Sequence, residues 1–352
     1  MSMHEWSGGL LPEQDLVLPR QPDNPEMRES ASLWLFEENG DFAFPRMGIE
    51  AVASTWDAHR FDVNIAFADG RVLRESGFGP VPSPTGADGR PTRLGAGPLH
   101  FHCEDPFLRW RASFDGSAVD GHVSRQIRNT MDPGLRTPVR LDLAMTMVTP
   151  AWAQDNSPDK LAGLTADEAA DLGFMGIGYR FEQLFRATGT LQIDNETRMF
   201  TGTGLRIHRQ SVRPLGGFRG HCWQSALFPD GRAFGYIAYP PKEDGTESHN
   251  AGYVYQDGRM FPARAVKIPW LRDIVGQGDD VTLELESELG RTRIKGVSTL
   301  STFRIGNPDI GGLDINQGGA RYTWDDQSAL GMIERSSHES LTKIVPDGHH
   351  SR

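Results

Sequence analysis

Residues 61–73 read FDVNIAFADGRVL. Phe61, Val63, Ile65 and Phe67 alternate with Asp62, Asn64, Ala66 and Ala68. A period of two puts one set of side chains on the core face of a strand and the other on solvent or a cavity. The run ends in Asp69-Gly70, a pair suited to the positive φ angles of tight hairpins, and resumes at Val72-Leu73. The stretch therefore predicts two antiparallel strands joined by a short turn. Asp-Gly-Arg recurs at Asp88, Asp230 and Asp257, and FPDGRAF and YQDGRMF repeat the arrangement. Alternation also runs through Val139, Leu141, Leu143, Met145 and Met147, and through Val281, Leu283 and Leu285. The 40 glycines and 23 prolines are spread along the chain, which suits many short strands and argues against helix bundles and doubly wound sheets. The fold class is all-β with few short helices. Residues 165–172 carry a capping box, with Thr165 at the cap and Glu168 three residues on. Residues 269–275 read as one or two helical turns, and 151–164 as a loop.

A chain of 352 residues suits two domains at ~150 residues each, with the junction placed between 150 and 180. Lys and Arg number 36 against 47 Asp and Glu, a net charge of -11. That balance, without any long basic run, argues against nucleic-acid partners and an anionic membrane surface. Cys103 and Cys222 form neither a disulfide framework nor a Cys-x-x-Cys pair. The opening residues lack a basic segment followed by an apolar core, and no run approaches ~20 apolar residues. The expectation is a soluble, cytoplasmic protein without membrane insertion; a homodimer is left open. A serine elbow, a phosphate loop and a His-Glu-x-x-His motif are all missing from the sequence. Gly202-x-Gly204 lies between two strands and so is no dinucleotide fingerprint. Nucleotide-driven chemistry and hydrolysis through a serine triad are therefore not expected.

Three groups of residues are candidates for chemistry. In an extended strand His100, His102 and Glu104 share one face, which could ligate a metal, form an acid–base set, or be a polar strand face. His208 and Gln210 share a face, with Arg209 and Ser211 on the other; after the turn Pro214-Leu215-Gly216-Gly217, His221 and Trp223 share a face. The two strands could present His208, Gln210, His221 and Trp223 to one cavity, or pair at the surface. Among the carboxylates Glu37, Glu38, Asp41 and Glu182, one desolvated by apolar surroundings would have a raised pKa and could protonate an alkene or carbonyl. An ion pair with Arg206 or Arg213 would keep Glu182 ionised.

From Tyr179 the chain reads YRFEQLFRATGTLQIDNETRMFTGTGLRIHRQSVR. Glu182-Gln183, Gly189, Gly202, Gly204, Arg206 and Arg213 resemble the central pattern of a lipocalin-like family of tandem β-barrels. That family includes the carotenoid hydratases (hydroxyneurosporene synthases) and, distantly, tocopherol cyclase. Trp34-x-Phe36-Glu37-Glu38-Asn39 is similar to its first strand. Arg321-Tyr322-x-Trp324 and Gly331-Met332-Ile333-Glu334 resemble its closing strands. The resemblance implies two lipocalin-like barrels or curved sheets side by side: an irregular arm 1–30, domains at 31–177 and 178–336, and a tail 337–352. It also implies cofactor-free acid–base chemistry on a lipophilic small molecule (terpenoid, steroid or aromatic), by hydration or dehydration, isomerisation or cyclisation. His208 or Glu182 would donate the proton, with His221 a further catalytic candidate. Arg213 or Arg209 would partner an oxyanion or a carboxylate, and Trp34, Trp223, Gln210 and Phe218 would wall the site. His100, His102 and Glu104 form an alternative substrate-binding set. The chain departs from the pattern at Ile207, where the family has aspartate, and at Gln210-Ser211, where it has Trp-Gly. A carrier of a hydrophobic metabolite and a metal-dependent enzyme using the His-x-His-x-Glu strand are the alternative readings.

Overall fold

A computed structural model describes residues 6–306 and 311–345. The hairpin at 61–73 forms between β3 (Ala58–Phe67) and β4 (Arg71–Pro80), with Gly70 at φ 90 in the turn. The turn at Asp257 and Gly258 has φ values of 53 and 76, the left-handed pair that a two-residue hairpin needs.

The first sheet is built from β1 (Met27–Glu37), β2 (Phe42–Val52), β3 and β4, then β5 (Arg93–Ala96), β6 (Leu99–Asp105), β7 (Arg109–His122), β8 (Arg136–Met147), β9 (Trp152–Asn156), β10 (Ile177–Ile193) and β11 (Glu196–Val212). Its order is β4-β3-β2-β1-β11-β10-β8-β7-β6-β5, and β4 also pairs with β7, joining the ends of an eight-strand ring. The second sheet is a closed barrel drawn from β12 (Gly220–Leu227), β13 (Ala233–Ala238), β14 (Asn250–Gln256), β15 (Arg259–Lys267), β17 (Leu283–Ser287), β18 (Gly290–Gly306), β19 (Leu313–Trp324) and β20 (Gln327–His338). Ring closure removes most of the exposed edges that an antiparallel fold must otherwise protect, and leaves β5 and β9, each paired with one neighbour, at the margins of the first sheet. The protein is thus all-β, as the alternation indicated.

The chain changes sheets between β11 and β12, not at 177/178. The β10–β11 hairpin, read from sequence as the start of the second unit, pairs with β8 on one side and β1 on the other, so its 17-residue strands complete the first ring. Two local expectations also change. Residues 151–164 hold β9, which pairs with β10, and a helical turn at Pro158–Leu161. Residues 269–275 are not helical. Leu271 and Ile274 are buried there, and β16 (Asp273–Ile274) pairs in parallel with β21 (Lys343–Ile344). The expected cap at Thr165 is present on helix Ala166–Gly173. Of the arm and tail, residues 1–5 and 346–352 lie outside the described residues.

Both barrels are packed with their own side chains. Leu33, Met47, Ile49, Phe61, Val63 and Trp110 fill the first; Cys222, Phe234, Tyr236, Leu283, Leu285 and Tyr322 fill the second. The opposite face of β3 is not solvent: Asp62 and Asn64 are also buried, and Asn64 Nδ2 donates to Gln317 Oε1 on β19 at 3.2 Å. A third apolar cluster, with Trp34, Phe36 and Leu205 from one barrel and Trp223, Leu227, Tyr239 and Met332 from the other, joins the two. Trp34 meets Trp223 edge to face across the seam, ring centroids 4.8 Å apart.

Candidate functional site

Strand parity decides what reaches the seam. On β1, even-numbered residues Arg28, Ser30, Ser32 and Trp34 face it, while Glu29 and Leu33 point into the first barrel. On β10 and β11 the seam receives Arg180, Ile207 and Arg209. The second barrel contributes His221 and Trp223 from β12, Ile237 and Tyr239 around the end of β13, Gln317 from β19 and Glu334 from β20. Together they line a solvent-open cavity of about 950 Å³. A smaller cleft of about 400 Å³, lined by Phe67, Asp69, Arg71, Leu191 and their neighbours, lies elsewhere on the first barrel and contains none of the candidate residues.

One wall of the large cavity carries a relay of hydrogen bonds. Glu334 Oε1 lies 3.1 Å from His221 Nε2, and Ser336 Oγ lies 2.6 Å from His221 Nδ1 while accepting from the His221 backbone N–H at 3.0 Å. Gln317 Nε2 donates to Glu334 Oε2 at 2.8 Å. Burial alone would push the Glu334 carboxyl up. The His221 hydrogen bond and charge, the Arg46 charge and the Gln317 hydrogen bond outweigh it and hold the carboxyl below its usual 4.5. An ionised Glu334 in turn holds a proton on Nε2.

The opposite wall is cationic. Asp62 is surrounded by Arg46, Arg60 and Arg74 at 3.6, 3.3 and 3.5 Å. Arg180 pairs with Glu182 at 2.5 Å, donates to Gln154, and stacks over the Trp223 ring at 5.0 Å. Trp223 Nε1 donates to Glu182 Oε2 at 3.0 Å. Burial raises the Glu182 carboxyl, against the lowering pull of Arg180 and Trp223. Arg209 makes no ion pair or hydrogen bond among the described residues, and Arg213 only donates Nε–H to the Phe174 carbonyl at 3.2 Å.

The sequence candidates therefore divide. Arg209, Arg213, His221, Trp34, Trp223 and Phe218 line the cavity, and Glu182 lies behind Arg180 and Trp223. His208 and Gln210 do not share it. Both point into the first barrel, because residues of even number on β11 face that interior. There His208 Nε2 lies 2.9 Å from Glu29 Oε1, and Gln210 Nε2 donates to the same oxygen at 2.9 Å. Asp15, brought in by the turn at Pro12–Asp15, accepts two hydrogen bonds from Arg206, at 2.7 and 2.9 Å, and lies 3.6 Å from His208 Nδ1. Burial would raise Asp15, but Arg206 and His208 draw it down to about 2. Burial would lower His208, but Asp15 and Glu29 raise it. This group fastens the arm to the barrel.

His100 and Glu104 are exposed on the outer face of β6, with His102 half-buried beside them, away from the cavity. The inward positions of that strand are taken by Phe101 and Cys103. No cluster of metal-ligating side chains occurs among the described residues. Sequence reasoning missed Arg180, Glu334, Ser336 and Tyr239 as site residues. Arg180 has the same parity as Glu182 in the quoted stretch, and Glu334 ends a quoted motif, so parity and motif together held the signal.

Residues 12–339 match the family described as "Domain of unknown function (DUF7064)". No curated protein matches the chain significantly. Among solved structures, a Nitrosomonas europaea protein provisionally named AttH is 14% identical, with 92% of this chain and 99% of that one covered at a TM-score of 0.57. CghA, solved with Sch210972, is 14% identical over 95% of this chain and 94% of that one at 0.56. Kievitone hydratase from Nectria haematococca is 11% identical over 92% and 93% at 0.47. The first two share the fold of this chain. No helix among the described residues is long and apolar enough to cross a membrane.

Proposed function

The chain belongs to the DUF7064 family, and from that premise and the seam geometry we propose a cofactor-free acid–base enzyme acting on a lipophilic small molecule. The observation that carries the reading is the His221–Glu334 pair set in the wall of an aromatic-lined cavity between the barrels. The similarity of fold to CghA, solved with Sch210972, supports a small molecule as the occupant of this architecture.

In the proposed chemistry His221 is the proton donor. In the imidazolium form its Nε2–H lies on ionised Glu334 until an alkene or carbonyl of the bound molecule displaces that carboxylate and takes the proton, which leaves the positive charge on the substrate beside Glu334. The Nδ1–H stays hydrogen-bonded to Ser336 Oγ, so the neutral imidazole that remains is fixed in one tautomer and can take a proton back at Nε2. Trp34 and Trp223 shield the reacting centre from water, and Arg209 stands where negative charge on the substrate would be stabilised. Proton delivery and return at one site suits hydration, dehydration, isomerisation or cyclisation of a double bond.

The test is to incubate the protein, and a His221→Asn variant, with an organic extract of the source cells and compare masses. A compound converted to an isomer, or to a species differing by one water, by wild type alone supports the enzyme. A molecule recovered unchanged and tightly bound, with no conversion, makes the protein a carrier instead.

A further inference from the structure

Although the whole chain is acidic, the seam cavity is lined by eight arginines and three glutamates. Five of the other six have a carboxylate partner: Arg46, Arg60 and Arg74 share Asp62, Arg46 also meets Glu50 at 3.3 Å, Arg180 pairs with Glu182, and Arg304 with Asp314 at 2.7 Å. Arg209 and Arg213 have no carboxylate partner among the described residues. We propose that these two guanidinium groups clasp the carboxylate of a lipophilic substrate, whose apolar body lies along Trp34, Trp223 and Phe218. This deepens the reading of the seam as the functional site and rests on it.

Arg209 is only 7% exposed. It stands directly opposite Arg180 in the β10–β11 ladder. Like charges at opposed positions on adjacent strands destabilise a sheet, and burying an uncompensated cation costs more. Burial, followed by the charges of Arg213 and Arg180, disfavours the protonated form of Arg209. A fold without a use for this cation would be more stable with an apolar residue there.

Buried donors at the same walls also lack a partner among the described residues, Arg209 Nε and Trp34 Nε1 among them. Both residues line the cavity, so an acceptor bound within it satisfies groups that the protein leaves unpaired. The planar guanidinium fork matches a carboxylate through two parallel hydrogen bonds. Glu26, Glu50 and Glu334 in the lining work against a second negative charge on the ligand, which favours a carboxylate over a phosphate dianion.

The test measures binding of dodecanoate, dodecan-1-ol and dodecyl phosphate to the full chain by calorimetry, with thermal melting alongside. The wild type should bind dodecanoate at least ~10-fold more tightly than the alcohol, the scale of one charge-assisted hydrogen bond. Arg209→Met should abolish that preference while leaving alcohol binding within about twofold, and its melting temperature should stay level or rise because a buried unpaired charge is gone. Arg213→Gln provides a second, more exposed position with the same expected loss of preference. Trp223→Ala should weaken acid and alcohol alike. Equal affinity for acid and alcohol in the wild type, both weakened by Trp223→Ala, overturns the anionic clasp and leaves the seam as the site. A carboxylate preference that survives both arginine substitutions overturns the assignment to Arg209 and Arg213. Tighter, Arg209-dependent binding of dodecyl phosphate overturns the carboxylate in favour of a phosphate. Ligand binding indifferent to Trp223→Ala overturns the seam reading itself.

Discussion

His208 and Arg209 are consecutive residues of β11 that face different interiors. His208 Nε2 reaches Glu29 Oε1 at 2.9 Å within the first barrel, while the Arg209 side chain lines the cavity between barrels. One strand thus supplies both a lock for the N-terminal arm and the proposed clasp for the ligand. The two roles separate by mutation, because they lie on opposite sides of a sheet that is buried on both faces.

His208→Gln should destabilise the protein without touching the seam. It leaves Glu29 and Asp15, both buried, without the imidazolium between them, which costs about 3 kcal/mol. Urea unfolding should show that loss, while dodecanoate affinity measured below the transition stays unchanged.

The same lock gives stability a pH signature. Asp15 falls from 3.8 to about 2 on folding, so its contribution is complete above pH 3.8 and is lost as the pH drops towards 2. His208 rises above 6.5 on folding, so its contribution is complete below pH 6.5 and is lost as the pH climbs through the folded value. Melting temperature followed against pH should hold up between these limits and decline on both sides. His208→Gln should flatten the alkaline decline, and Asp15→Asn the acid one.

Glu334→Gln should reduce turnover by about 100-fold, the low end for loss of acid–base assistance, because the amide no longer holds the proton on His221. Ser336→Ala removes only the group that orients Nδ1. It should lower kcat several-fold and move the pH–rate profile, with KM little changed. Since the Glu334 carboxyl lies below 4.5, the acid limb of the wild-type profile that reports its ionisation should fall below that pH.

Gly202-x-Gly204 serves packing within the ladder. A Cβ on Gly204 would lie 2.1 Å from the Trp34 carbonyl oxygen and 2.5 Å from Phe185 Cζ. Gly204→Ala should therefore cost about 3 kcal/mol, the upper part of the range for forced overpacking, and be visible as a lowered urea midpoint.

Alternation and Asp-Gly turns made the strands legible, and the seam between barrels was the expected place for a ligand. Parity also assigned the faces of β11 and β12 correctly: His208 with Gln210, Arg209 with Ser211, His221 with Trp223. It did not say which face met the cavity, because both faces of β11 are buried and both carry polar groups. His208 was therefore placed with His221, although they stand on opposite sides of a sheet. The β10–β11 hairpin was assigned to the wrong ring for a related reason. Local pattern fixes a strand, whereas its neighbours β1 and β8 are set by pairing over distances of more than a hundred residues for β1. Asp15 gave no periodic signal at all, since a single 3-10 turn carries it into the barrel.

The most direct test is a crystal structure of the protein grown with dodecanoate. The account predicts density for the acid in the seam, its carboxylate within hydrogen-bonding distance of Arg209 and its chain along Trp34 and Trp223. Density for the acid inside either barrel, or lying in the seam with its carboxylate turned away from both Arg209 and Arg213, would contradict it.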